Sequence, residues 1–137
     1  MTNVNHKTLP EAVVLAYYGA LGRGDLKSVE SLMSTESYMM TLEVLCLKHT
    51  FNDNVFRLEL KKIREDLHAK NRAEDILSND LKKHPPVFNI VIKNTDKNGP
   101  DRVTVNYKEN AKLKKLYLTY TPQAGWKIDY RAGRRTF

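Results

Sequence analysis

Apolar residues recur every three or four positions through roughly the first two thirds of the chain and every second position afterwards, a change of period that reads as helices followed by strands. Thr8-Leu9-Pro10-Glu11 has the S/T-x-x-E spacing of a capping box, with proline in the first turn, where its missing N–H is not needed. Leu9, Val13, Ala16, Tyr17, Ala20 and Leu21 then form one helical stripe, stopped by Gly22 and Gly24. Asp25 is placed to cap a second, shorter helix that buries Leu26, Val29, Leu32 and Met33. Residues 36–50 fit two periods. Tyr38, Met40, Leu42 and Val44 alternate as in a strand, whereas Met39, Leu42, Leu45 and Cys46 share a helical face; the length of the run and its lack of glycine and proline favour helix. Asn52 or Asp53 opens a further predicted helix with Phe56, Leu60, Ile63 and Leu67 on its buried side, Lys61–Glu65 and Lys62–Asp66 pairs on its wet side and His68 at its end. Asn71–Glu74 repeats the capping spacing ahead of Ala73, Ile76, Leu77 and Leu81, and Pro85-Pro86 ends that helix.

Beyond the prolines, Phe88, Ile90 and Ile92 alternate with polar or smaller residues, and Asp96-Lys97-Asn98-Gly99-Pro100 makes a turn. Val103, Val105 and Tyr107 form the next alternating run, Glu109 to Lys112 a second turn, Leu116, Leu118 and Tyr120 a third run. Pro122-Gln123-Ala124-Gly125 leads to Trp126, Ile128 and Tyr130. The helices carry one apolar stripe and the strands one apolar face, so each layer needs the other to cover it. The expected fold is α+β, N-terminal helices packed on a curved antiparallel four-stranded meander, in a single domain of residues 1–137 with a helical half at about 8–84 and a sheet half at about 87–131.

Composition adds boundaries more than content. No apolar run is long enough for a membrane span, Met1 to Lys7 is polar with no secretory-type stretch, and the one cysteine, Cys46, excludes an internal disulfide and fits a reducing, cytoplasmic setting. The formal charge of +7 is unevenly placed: residues 1–86 balance, and the whole excess lies in 87–137. Strand alternation gathers Arg102, Lys108, Lys115, Lys127 and Arg131 with Tyr117 on the polar face of the sheet, near Arg134-Arg135. Such a face can steer an acidic partner or nucleic acid, but single-strand binders interleave several aromatics with their charge, and one tyrosine is a poor stacking platform.

Pro10 to Leu26, with the string Ala16-Tyr17-Tyr18-Gly19-Ala20-Leu21-Gly22-Arg23-Gly24-Asp25, resembles the opening of nuclear transport factor 2-like domains: an amphipathic helix bearing an aromatic residue, a small-residue turn, Gly-Asp and a second helix. Ala124-Gly125-Trp126-Lys127-Ile128-Asp129 is similar to the last strand of many members. The resemblance implies a cystatin-like α+β cone whose sheet curls round the first helix and leaves a cavity at the open end; the helix-rich stretch at about 36–84 departs from the family's strand-bearing pattern. Members include isomerases, dehydratases, cyclases and transport factors, so the resemblance implies a site and not a reaction. Some members dimerise through the sheet face, making a homodimer a candidate arrangement, though like charges there oppose a symmetric contact.

The reading that follows is a small domain binding a small apolar or amphipathic ligand, or a protein partner, with Tyr17, Met40, Tyr107, Tyr120 and Trp126 lining the cone. The runner-up is an isomerase- or dehydratase-like enzyme. Tyr17 stands eight residues before Asp25, where the resemblance to ketosteroid isomerase implies an oxyanion-stabilising phenol, and Glu43 or His49 would then serve as base. No histidine spacing suits a metal, no cofactor motif is present, and Gly22-Arg23-Gly24 lacks the frame of a phosphate loop. His68 and His84 are read as helix C-terminal residues, Cys46 as a small buried apolar side chain, and Asp129 as a surface ion-pair partner of Lys127 or Arg131.

Overall fold

A computed structural model describes residues 9–50 and 62–133, apart from the side chains of 49, 50 and 133. Among the described residues four helices precede one antiparallel sheet: α1 Pro10–Arg23, α2 Leu26–Ser31, α3 Thr35–Thr50 and α4 Leu67–Lys83, then β1 Ile90–Gly99, β2 Arg102–Glu109, β3 Lys112–Thr121, β4 Gly125–Ile128 and a closing 3-10 turn, Tyr130–Gly133. The strands pair in chain order, β1-β2-β3-β4. The α+β class follows directly from this arrangement, and residues 36–50 are helical throughout. No helix among the described residues is long and apolar enough to cross a membrane.

The start of α1 differs from the expected capping box. Leu9 is the N-cap, without a side-chain cap, and its carbonyl accepts from the N–H groups of Ala12 and Val13. Thr8 lies outside the described residues, and the Glu11 carboxylate accepts from the Thr95 hydroxyl of β1. The buried face of α1 is also wider than the stripe. Val13, Val14, Tyr17, Tyr18, Ala20 and Leu21 are inside, while Leu9 and Ala16 are exposed. A helix packed against both a sheet and other helices has little free perimeter, and one 3.6-residue stripe underestimates it.

Gly24 ends α1 with φ of 69°, in the left-handed region that favours glycine. Its position is also crowded: an added Cβ would sit 3.0 Å from Lys82 Cγ and 3.1 Å from the Ser78 carbonyl oxygen, both on α4. The Ser78 hydroxyl donates to the Gly24 carbonyl at 2.7 Å, fixing the α1–α2 corner on α4. Asp25 caps α2 as expected, accepting from the Ser28 N–H at 3.2 Å and its hydroxyl at 2.6 Å.

Phe56 and Leu60 of the helix expected from residue 52 lie outside the described residues. At its far end the helix reading fails: residues 62–65 form a turn, with Ile63 buried, and a new helix starts at Asp66, whose carboxylate accepts from the His68 N–H at 2.9 Å. The Lys62–Asp66 helical pair is therefore not formed, Leu67 is exposed, Asn71 lies inside α4 rather than capping it, and His68 stands in the first turn instead of at a C-terminus. Asp66 begins α4 because the chain must turn there to bury Ile63 and then Ala69, Ala73, Leu77 and Leu81. His84 is the C-cap, ahead of the two prolines.

In the sheet, Val103, Val105 and Tyr107 of β2, Leu116 and Leu118 of β3 and Ile128 of β4 are buried beneath the helices. β1 runs through Asp96–Gly99, where a turn was expected, because irregularities after Ile92 and Lys97 let it continue pairing with β2. Asp96 and Asn98 brace that extension, accepting from Asn106 Nδ2 at 2.9 Å and donating to Thr104 Oγ1 at 2.5 Å. Met33 makes one parallel bridge to Ile128, joined by Ser34 N–H to Ile128 O and Ile128 N–H to Leu32 O, each 2.8 Å.

Candidate functional site

The helical layer leaves a cleft of about 600 Å³ between itself and one end of the sheet. Tyr17, Tyr18 and Leu21 of α1 form its floor, Leu45 and Lys48 of α3 and Leu81 of α4 one wall, and His84, Pro86 and Phe88 the rim that leads into β1. The opposite wall is Tyr107 and Glu109 of β2 with Lys114, Lys115 and Leu116 of β3, and Tyr130 closes the site.

Sheet geometry explains this mouth. β4 pairs only with Leu118 to Thr121 of β3, so no described strand pairs with that edge of the first half of β3, and Lys112, Lys114 and Lys115 follow one another along it. The Glu109–Lys112 pair closes the β2–β3 hairpin over Asn110 and Ala111, both at positive φ, which carries Glu109 to the rim. There Lys114 Nζ lies 3.3 Å from Glu109 Oε1.

Inside, aromatic rings pack edge to face. The ring centroid of Tyr18 lies 5.0 Å from those of Tyr17 and Phe88 and 5.6 Å from that of Tyr107. The Tyr18 and Tyr107 hydroxyls share a buried 2.6 Å hydrogen bond. Tyr130, on the opposite side of Tyr17, shares a 3.0 Å hydrogen bond with Thr41 Oγ1, and its N–H donates to Ser37 Oγ at 2.9 Å. Burial, then the neighbouring Tyr130, raises the Tyr17 phenol well above its ordinary value of 10.0. Burial, then hydrogen bonding with Tyr107 and Glu109, does the same for Tyr18, and burial raises Tyr107. These phenols are therefore neutral hydrogen-bond donors at ordinary pH.

The expected site residues separate into two groups. Tyr17 and Tyr107 line the cleft. Met40 is half-buried on α3 and does not line it. Tyr120 and Trp126 stack on each other near the β3–β4 turn, centroids 5.2 Å apart and away from the cleft. Glu43 is not among the lining residues: its carboxylate accepts from Arg64 Nη2 at 2.7 Å and Nε at 3.3 Å. The His49 side chain lies outside the described residues, as does His6. Cys46 is fully buried, and that burial pushes its thiol up to about 12, away from nucleophilic character.

On the polar face of the sheet, Arg102, Lys115, Tyr117 and Lys127 fall on strand positions of one parity, with Lys108, while Arg131 leaves the strand in the 3-10 turn and pairs with Asp129 at 3.5 Å. Arg134 and Arg135 lie outside the described residues. Among the described residues no cluster of histidine, cysteine and acidic side chains is arranged to hold a metal.

Tyr18, Glu109, Lys114 and Tyr130 complete the cleft and were not singled out from the sequence. Tyr18 was the recoverable one, since it neighbours Tyr17 in the aromatic pair. Glu109 and Lys114 flank a turn, where apolar periodicity carries no signal. Compared with protein-family models, curated proteins and solved structures, the chain matches none.

Proposed function

We propose that this chain is a binding domain of the nuclear transport factor 2-like kind that holds a small apolar or amphipathic molecule in the cleft between α1 and the open end of the sheet. The observation that carries the reading is the cleft itself: about 600 Å³ lies within the range of small-molecule sites, and an aromatic and aliphatic lining with a few polar groups at one end is their usual make-up. Two features support the cone-like arrangement. The α1–Gly24–Asp25–α2 corner matches the opening described above, and the Met33–Ile128 bridge sets the chain after α2 beside the last strand, a short strand-like contact before α3 begins.

The test is a heteronuclear NMR titration with naphthylethanol, a neutral amphiphile. The expected result is saturable shifts confined to amides around Tyr18, Leu21, Leu45 and Leu116, abolished by Leu45→Trp, which fills the cleft. Shifts scattered over the Arg102–Lys127 face, or no saturable shifts at all, would overturn the reading.

A further inference from the structure

We infer that the occupant of the cleft carries an anionic head, a carboxylate or a group of like charge, seated at the rim among Lys48, Lys114 and Lys115 with its apolar body against the tyrosine floor. This rests on the binding reading above and adds the chemistry of the ligand.

The argument is one of charge balance. Among the described residues three lysines line the cleft against one carboxylate, Glu109, and that carboxylate is already engaged by Lys114 at 3.3 Å. Lys48 is exposed near the end of α3; Lys115, exposed on the part of β3 that no described strand pairs with, lines the cleft from that strand edge although its register sets it with the outer face; and neither has an ion-pair partner among the described residues. The opposing field is that of two helix C-termini, since α3 ends at Thr50 and α4 at Lys83 beside the rim. Each terminus amounts to roughly half a negative charge and is screened within a turn, so together they do not cancel two unpaired lysines. The excess of the sheet half, which holds all of the chain's +7, has the same sign and would steer an anion inward.

A cationic head fits less well. The aromatic rings pack edge to face on one another, which leaves few open ring faces for a cation, and the one carboxylate is neutralised by its lysine.

The experiment compares three probes with one apolar body: naphthylacetate, naphthylethanol and naphthylethylammonium. At low salt the expected order places the carboxylate about tenfold or more tighter than the alcohol, and the amine weakest. Lys48→Glu together with Lys115→Glu should erase the advantage of the carboxylate and leave naphthylethanol binding within about twofold, whereas Lys97→Glu together with Lys127→Glu, an equal change of charge at residues that do not line the cleft, should leave the order intact. Equal binding of all three, or the amine binding tightest, overturns the anionic head while leaving the cleft a binding site. Failure of every probe to bind overturns both.

Discussion

The hydroxyl pair of Tyr18 and Tyr107 is the most consequential polar contact in the aromatic floor, because both oxygens sit among rings and neither can turn to bulk water without repacking. Replacing either tyrosine leaves the other's hydroxyl without its partner. Tyr18→Phe and Tyr107→Phe are therefore each expected to destabilise the fold by about 1–3 kcal/mol, the cost of an orphaned buried hydroxyl; urea unfolding of both variants measures it, and an unchanged midpoint in either would refute the buried pair. Ionisation makes the same point. Tyr17, Tyr18, Tyr38 and Tyr107 all have phenols raised above 10.0, chiefly by burial, so the native state holds these protons more tightly than the unfolded chain does. Their contribution to stability is full below pH 10 and is lost as pH rises beyond it. Phenolate absorbance from these four should thus appear only with the loss of far-UV circular dichroism; four tyrosines titrating in a native-looking protein would contradict the burial. At this scale the sequence was half legible. Tyr17 and Tyr107 were found because apolar period places aromatics inside, but period cannot tell a residue at the mouth of a cleft from one filling the far end, and Trp126 and Tyr120 had the same pattern with a different address.

Elements were easier to read than their ends. The four strands and the two opening helices lie in the stretches where alternation and helical period put them, since those signals are local, although α1 begins without the expected capping box and β1 runs on through the expected turn. The start of α4 was misplaced because Asp66 and Asn71 are both good caps, and only tertiary burial of Ile63 and Ala69 chooses between them. Asp66→Ala should accordingly cost about 1 kcal/mol, while Asn71→Ala should be neutral or slightly stabilising, as alanine is the better residue inside a helix. The β2–β3 hairpin offers a change in the opposite direction. Ala111 takes φ of 73° at a site that suits glycine, so Ala111→Gly is expected to raise stability by about 0.5–1 kcal/mol, read as a shift in the urea midpoint with unchanged slope. The half of β3 that β4 does not pair with is an element with two readings of its lysines. Lys114 and Lys115 line the cleft, and together with Lys112 they repel any second strand that would add to that edge. Replacing all three with threonine should bring concentration-dependent association detectable by light scattering, and a monomer at high concentration would show that the edge is protected by something else.

For the molecule as a whole, the two-layer argument carries over: helices cover one face of the sheet, and the basic residues gather on and around the other. What the chain order could not convey is how tightly the layers are cross-tied. Lys70 bonds Glu30 at 3.0 Å and Glu74 at 3.5 Å, and the Tyr38 hydroxyl donates to Glu74, so α2, α3 and α4 share one polar knot that no local pattern announces. The widest of these ties is the Met33–Ile128 bridge, whose hydrogen bonds join Leu32 and Ser34, just after α2, to Ile128 of the last strand. As the polypeptide emerges from the ribosome, the face of α1 that packs on β4 must therefore stay open to water until Gly125–Ile128 has been translated. A nascent chain stalled before Gly125 should be cut more readily by protease around Met33 than one that carries β4, and equal cleavage of the two would show that the bridge adds no protection.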